Sequence, residues 1–169
     1  MQAEKDCIEA LRLLAGLSKC IGANTSWARI RCVKGRKGIN LYLHTISQET
    51  LEILKEADIL SYGVHIAVYT RGRRGRHILL PSLGLLNYIR TPRTYVRVNR
   101  KAAILFTYGR DILPEGIIEL RKPPRECPNI LPVLDEYGEP IGWGRLNLSQ
   151  GKPIIENLLD VGWYLRSGV

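Results

Sequence analysis

The stretch from Thr94 to Arg145 restricts the fold more than any other part of the chain. It opens with the β-branched run Tyr95-Val96-Arg97-Val98 and continues into Lys101-Ala102-Ala103-Ile104-Leu105-Phe106, a segment of helical composition. Tyr108-Gly109-Arg110-Asp111-Ile112-Leu113 follows, then a Pro-Glu-Gly turn and Ile117-Ile118-Glu119-Leu120. Ile130-Leu131-Pro132-Val133-Leu134, a turn at Asp135-Glu136-Tyr137-Gly138, and Pro140-Ile141-Gly142-Trp143-Gly144-Arg145 complete it. Short apolar runs bounded by Gly, Pro and Asp read as strands. The helical run stops where Gly109 can take a backbone angle other residues resist. Many short strands with one small helix predict a small closed or half-closed barrel.

The chain has 169 residues, enough for one domain or two small ones. Its apolar fraction of 45% is that of a globular protein. No run of eighteen apolar residues occurs, so no membrane span and no membrane partner are expected. The polar, mixed-charge start Met1-Gln2-Ala3-Glu4-Lys5-Asp6 does not read as a signal peptide, and a cytoplasmic location is expected, nuclear or nucleolar in a eukaryote. Cys7, Cys20, Cys32 and Cys127 make no C-x-x-C pair, and His44, His65 and His77 show no metal spacing. They read as reduced thiols and ordinary histidines, with no metal and no cofactor.

Charge is the strongest indication of partner. The formal net charge is +9. All of it lies early: Met1–Val98 holds 16 bases and 7 acids, whereas Asn99–Val169 holds 9 of each. Such a balance favours polyanions, nucleic acid first and an acidic membrane surface second.

In chain order, Ala3–Ile21 reads as an amphipathic helix stopped by Gly22. Ser26–Val33 and Ile39–Thr45 read as strands of a hairpin turned by Lys34-Gly35-Arg36-Lys37-Gly38. Arg29 and Arg31 share one strand face; with the turn they are either a nucleic-acid contact or a solvated surface. Thr45–Ala57 reads as a second helix with Thr45 or Ser47 as cap. Ile59–Thr70 and His77–Leu80 flank a tip carrying Arg71, Arg73, Arg74 and Arg76, which is either mobile and exposed or meets phosphates. Ser82 is expected to cap a short helix, Leu83–Ile89. Thr91-Pro92-Arg93 punctuates the chain, giving domains at 1–92 and 93–169. At the far end, Gly151–Pro153 reads as a loop, Ile154–Leu159 as a short apolar run, and Asp160–Arg166 as a final strand that could close the barrel.

Tyr-Gly-Arg-Asp-Ile-Leu followed by Gly-Ile, then a Val-x-Asp-x-x-Gly-x-Pro-Ile-Gly-x-Gly hairpin, resembles a PUA domain, a small RNA-binding barrel. Ser61-Tyr62-Gly63, the run His77–Tyr88 and the ending Asp160-Val161-Gly162-Trp163-Tyr164-Leu165-Arg166 extend the likeness. Over about residues 59–166 the chain resembles the archaeal and eukaryotic large-subunit ribosome-assembly factors known in yeast by a nuclear-import name. The resemblance implies an α+β protein: an N-terminal α/β domain with an antiparallel sheet and a C-terminal PUA-type barrel. It implies binding to ribosomal RNA precursors, U-rich single strands among them, and to other assembly proteins, without chemistry of its own. A monomer is expected.

Carried over by position, the resemblance places RNA at the elbow Tyr108, Gly109, Arg110 and Asp111, and at Trp143, Gly144 and Arg145 with Lys152 beyond. Gly109 and Gly144 would let backbone approach a sugar-phosphate. Arg110, Arg145 and Lys152 would supply cations. Trp143 or Tyr108 would stack on a base, unless either belongs to the barrel core. Because the barrel half is neutral, the arginine hairpin and Arg90, Arg93, Arg97, Arg100 and Lys101 are expected to add phosphate contacts.

Catalytic readings are weaker. Asp111 invites comparison with the aspartate of pseudouridine synthases, but an Asp ordering a glycine turn explains it. No Walker loop, G-x-S-x-G elbow or paired His-Cys constellation occurs. Two alternatives to an assembly factor stay open: an RNA-binding accessory subunit of a tRNA- or rRNA-modifying enzyme, and a basic protein-interaction adaptor.

Overall fold

A computed structural model describes residues 2–25, 30–53, 63–72 and 75–167, with the side chains of Gln2 and Ala3 left aside. The chain divides into two compact units: Met1–Ala15 with Thr25–Leu85, and Gly16–Asn24 with Leu86–Val169. The expected linear division at 92/93 therefore has no counterpart for Gly16–Asn24, which belongs with the later residues.

Helix α1 spans Gln2–Ile21. Ala10, Leu14, Leu17 and Ile21 fall on one face at three- and four-residue steps, and all are buried. Gly22, at φ +80°, ends the helix, and its N–H and that of Ala23 both donate to Ser18 O at 2.9 Å.

The first unit is a four-stranded sheet ordered β1-β2-β3-β4, antiparallel throughout. Its strands are β1 (Ile30–Lys34), β2 (Ile39–Leu43), β3 (Val64–Arg71) and β4 (His77–Pro81). Strand β2 alternates strictly, burying Ile39, Leu41 and Leu43 on one face. Helix α2 (Gln48–Ile53) starts at Ser47, whose hydroxyl accepts the Thr50 N–H at 3.2 Å. The expected strand start at Ser26–Arg29, the end of the second helix, the run before Gly63, and Arg73 and Arg74 lie outside the described residues. The run after Ser82 forms as a 3₁₀ turn, Leu83–Tyr88, rather than an α-helix, and the Ser82 hydroxyl donates to His65 O.

The second unit is a five-stranded sheet ordered β6-β5-β7-β8-β9. The strands are β5 (Tyr95–Val98), β6 (Ile117–Arg121), β7 (Ile130–Leu134), β8 (Pro140–Ser149) and β9 (Lys152–Asp160). Strands β5 and β7 run parallel and the other neighbours antiparallel. The β7–β8 turn is made by Asp135, whose Oδ1 accepts the N–H groups of Tyr137 and Glu139, both at 2.9 Å. Helix α3 (Arg100–Thr107) joins β5 to β6 and packs Ala102 and Phe106 against Val96, Val98, Ile112, Leu131, Val133, Leu146 and Ile155.

The end of the chain departs from the expected final strand at Asp160–Arg166. Strand β9 begins at Lys152, where a loop is expected, and ends at Asp160, and a single helical turn, α4 (Trp163–Arg166), follows. Asp160 makes the turn: its buried carboxylate accepts the Gly162 N–H at 2.9 Å and pairs with Arg166. A β extension would strip that carboxylate of both partners.

The cysteines also depart from expectation. Cys7 pairs with Cys32 and Cys20 with Cys127, leaving no free thiol. The first bond holds α1 to β1 in the first unit; the second holds residues 16–24 to the β6–β7 connection in the second. Among the described residues no helix is long and apolar enough to cross a membrane, and no cluster of three metal-ligating side chains occurs.

Candidate nucleic-acid interface

Helix α3 positions the elbow. Asn99 caps its start: Oδ1 accepts the Ala102 N–H at 2.9 Å while Nδ2 donates to Glu115 O at 3.3 Å. At its other end Gly109 adopts φ +82°, and the N–H groups of Gly109 and Arg110 donate to Phe106 O at 2.8 Å and Leu105 O at 3.1 Å. This left-handed closure satisfies carbonyls that the helix would leave bare. The chain then turns so that Ile112 exchanges two backbone hydrogen bonds with Ile155 of β9, at 2.9 and 3.0 Å. Asp111 Oδ1 accepts the Asn157 N–H at 2.8 Å. The aspartate therefore orders the elbow, and Tyr108 and Arg110 on either side of Gly109 are left exposed, Tyr108 at 69%.

A second brace comes from the chain end. The Arg166 guanidinium binds both oxygens of Asp160, Nη2 to Oδ2 at 2.7 Å and Nη1 to Oδ1 at 3.0 Å. It also donates to Thr107 O. The position a Cβ would take on Gly109 lies 3.3 Å from Arg166 Nη2, so the guanidinium covers the elbow glycine. The hydrogen bonds to Asp160 hold the Arg166 pKa above its ordinary value against the opposing cost of desolvation. Asn157 Nδ2 links the parts, donating to Phe106 O at 2.7 Å and Asp160 Oδ2 at 3.2 Å.

The remaining expected residues separate into three groups. Arg100, Lys101, Arg110 and Lys152 are exposed, the first two on the opening turn of α3 and Lys152 beside the β8–β9 turn. Arg71 and Arg76 are exposed at the tip between β3 and β4 in the first unit.

Arg97 and Arg145 are instead ion-paired. Arg145 lies 2.9 Å from Glu156 across the β8–β9 ladder, and Arg97 lies 3.1 Å from Glu119 across β5–β6. Tyr95 donates to the same Glu119, which lowers the carboxyl pKa and raises that of the phenol; Arg97 adds to the lowering.

Trp143 and Gly144 face inward. Trp143 has no exposed surface, so it offers no ring to a base: it is the largest fully buried side chain among the described residues. Gly144 is buried too, and a Cβ there would collide with Ile155 Cγ2, with Val133 Cγ2 at 3.1 Å. The glycine serves close strand packing and not approach of a sugar-phosphate. Strand β8 does not alternate here: Gly142, Trp143 and Gly144 are buried in succession where its register against β9 slips between Trp143 and Gly144, and Arg145 next to them is half-buried.

Trp163, Tyr164, Asp160, Asn157 and Arg166 are missing from the sequence-based site. The only signal was the acid and base six residues apart about Gly162, which a strand would send to incompatible positions.

A curled sheet with one parallel pair, one short helix after its first strand, and an elbow bridged to its last strand is the architecture of a PUA domain. Residues 94–169 match the family model described as the UPF0113 PUA domain. A UPF0113 protein of Archaeoglobus fulgidus is 34% identical over 110 residues, covering 60% of this chain and 62% of its own. One from Aeropyrum pernix is 29% identical over 113 residues, covering 64% and 60%. The match thus spans about three fifths of the length of either relative. Among solved structures, a PUA domain from Aeropyrum pernix K1, determined as a tartrate complex, superposes with a TM-score of 0.52 at 16% identity, covering 92% of this chain and 85% of that one. At that identity the likeness is one of fold. The protein is therefore an α+β chain with an antiparallel N-terminal sheet and a C-terminal PUA-type barrel.

Proposed function

We propose that the chain is a non-catalytic RNA-binding protein acting in ribosome biogenesis, in pre-rRNA processing or large-subunit assembly, through its PUA domain. The observation that carries the RNA reading is the elbow: Arg110 is exposed, makes no ion pair with any described residue, and is held on a turn braced from two sides. The other end of α3 supports it. Arg100 and Lys101 stand on the positive end of the helix dipole, where cations are disfavoured by about 0.3–1 kcal/mol each and anions are stabilised. A passing phosphate would turn that local cost into attraction. Arg71 and Arg76 of the first unit are further exposed cations of this kind.

Assembly proteins are the expected protein partners, the cytoplasm the expected location, and no step of catalysis is assigned to any residue. The ribosomal part of the reading draws on the motif resemblance, from Ser61-Tyr62-Gly63 to the closing Asp160–Arg166 run.

Fluorescence anisotropy with a U-rich single strand and a structured ribosomal RNA fragment, across a salt series, tests the first part. Wild-type protein is expected to bind both at about 100 mM salt, where a multi-phosphate contact survives. No binding there would sink the RNA reading. Affinity purification tests the second part: large-subunit precursor particles should copurify. Recovery of an RNA-modifying enzyme in their place would support the accessory-subunit alternative.

A further inference from the structure

The end of the PUA domain that carries the elbow also carries an unusual set of exposed rings. Among the described residues, the exposed aromatics are Tyr108, Tyr137, Trp163 and Tyr164, and three of these four lie on the two segments that Arg166 ties together, the end of α3 and α4. Tyr108 precedes the glycine, at 69% exposure. Trp163 (44%) and Tyr164 (60%) stand on α4, whose Arg166 covers the glycine. The two α4 rings meet edge to face, with centroids 5.1 Å apart and planes at 78°. That contact sets the edge of one ring on one face of the other, and both residues keep exposed surface.

We propose that Tyr108, Trp163 and Tyr164 form a stacking platform for the unpaired bases of single-stranded RNA, with Arg110 taking the adjoining phosphate. This rests on the RNA-binding reading above and names the substrate class of that site. Three features favour bases over an apolar peptide. The exposed surface is rich in rings, each able to stack on any base. The nearby acids are already engaged: Asp160 is buried against Arg166, and Asp111 is turned to the Asn157 N–H. Asp111 keeps its charge but makes no ion pair with Arg110, whose guanidinium has no carboxylate partner among the described residues and suits a phosphate.

The platform is also held in place before any ligand arrives. Bonds from Arg166 and Asn157 to Thr107 O, Phe106 O and Asp160 tie α4 to the end of α3. Rings fixed in this way lose little further freedom on stacking.

The test compares a uridine 12-mer with an abasic ribose-phosphate strand of the same length. Trp163→Ala/Tyr164→Ala should weaken binding of the 12-mer roughly tenfold or more, with an unchanged salt slope, because stacking releases no counterions. The same variant should bind the abasic strand as wild type does. Trp163→Phe/Tyr164→Phe keeps the rings and should restore most of the affinity, which separates stacking from misfolding. Equal affinity of the alanine variant and wild type for the 12-mer overturns the platform and leaves the RNA reading standing; the face would then suit a protein. Failure of wild type to bind either strand overturns both.

Discussion

Arg166 closes a bidentate ion pair on Asp160, 2.7 Å from Nη2 to Oδ2, and the carboxylate it neutralises is 1% exposed. Six residues apart, the two turn the end of β9 into α4 and lay the guanidinium over Gly109. Removing the arginine leaves a buried carboxylate without its counter-charge, which costs far more than loss of a surface pair. Arg166→Ala is therefore expected to lower Tm by several degrees and to raise amide exchange at Gly109 and Arg110, while Arg166→Lys recovers only part, since lysine cannot bind both oxygens in the same fork. Unchanged exchange at the elbow would show that α4 does not brace it.

The same pair shows where the sequence was legible. Periodicity located α1, and the helical composition of Lys101–Phe106 with its glycine stop located α3, because those signals are local. The Asp135 turn was equally readable. The β9-to-α4 switch was not, since its cause is a pairing of Asp160 with a residue six positions on. Nor were the disulfides: Cys20 and Cys127 stand 107 residues apart, and only the fold brings them together. In the site, Trp143 and Gly144 share one motif with Arg145. Which of the three turns outward depended on the strand's burial, and a motif does not encode that.

The buried tryptophan gives a clean contrast. Trp143→Ala should destabilise the protein by about 3–5 kcal/mol, the usual cost of deleting a large core aromatic. Urea titration measures that loss. RNA affinity, corrected for the folded fraction, should stay at the wild-type value. A specific loss of affinity in fully folded protein would return Trp143 to the interface.

Both disulfides should contribute through the unfolded chain. Loop closure gives about 3.5 kcal/mol for a 25-residue separation and about 4.8 kcal/mol for one of 107 residues. Cys127→Ser is thus expected to cost more than Cys7→Ser, and a reducing agent should lower Tm in wild type but not in the quadruple serine variant. Such bonds persist in oxidising compartments and inside hyperthermophilic archaea and bacteria. Thiol titration of freshly purified protein should find none reactive.

His65 makes stability depend on pH. Burial outweighs a favourable backbone hydrogen bond and holds its imidazole below the ordinary 6.5, and its Nε2 is buried with no hydrogen-bond partner. The folded state thus binds its proton less readily than the unfolded chain does. Its contribution is fully present above about pH 6.5 and is lost as pH falls through the lowered folded value. Tm should decline as pH drops below about 6.5, and His65→Gln should flatten that decline. An identical pH profile in the variant would assign the effect to other groups.

The two arginines of the expected RNA surface should behave differently in salt. Arg110 has no carboxylate partner among the described residues, so its contact with a phosphate would release counterions directly. Arg110→Ala should reduce the slope of log affinity against log salt by roughly 0.7 on a single strand. Arg145 already holds Glu156 at 2.9 Å, and the pair is close to neutral as a unit. Arg145→Ala removes one charge but frees the carboxylate, so affinity should fall through repulsion from Glu156. Arg145→Ala/Glu156→Gln should then restore binding close to wild type with the wild-type slope. If the double variant stays as weak as the single one, Arg145 leaves its partner and meets the phosphate itself.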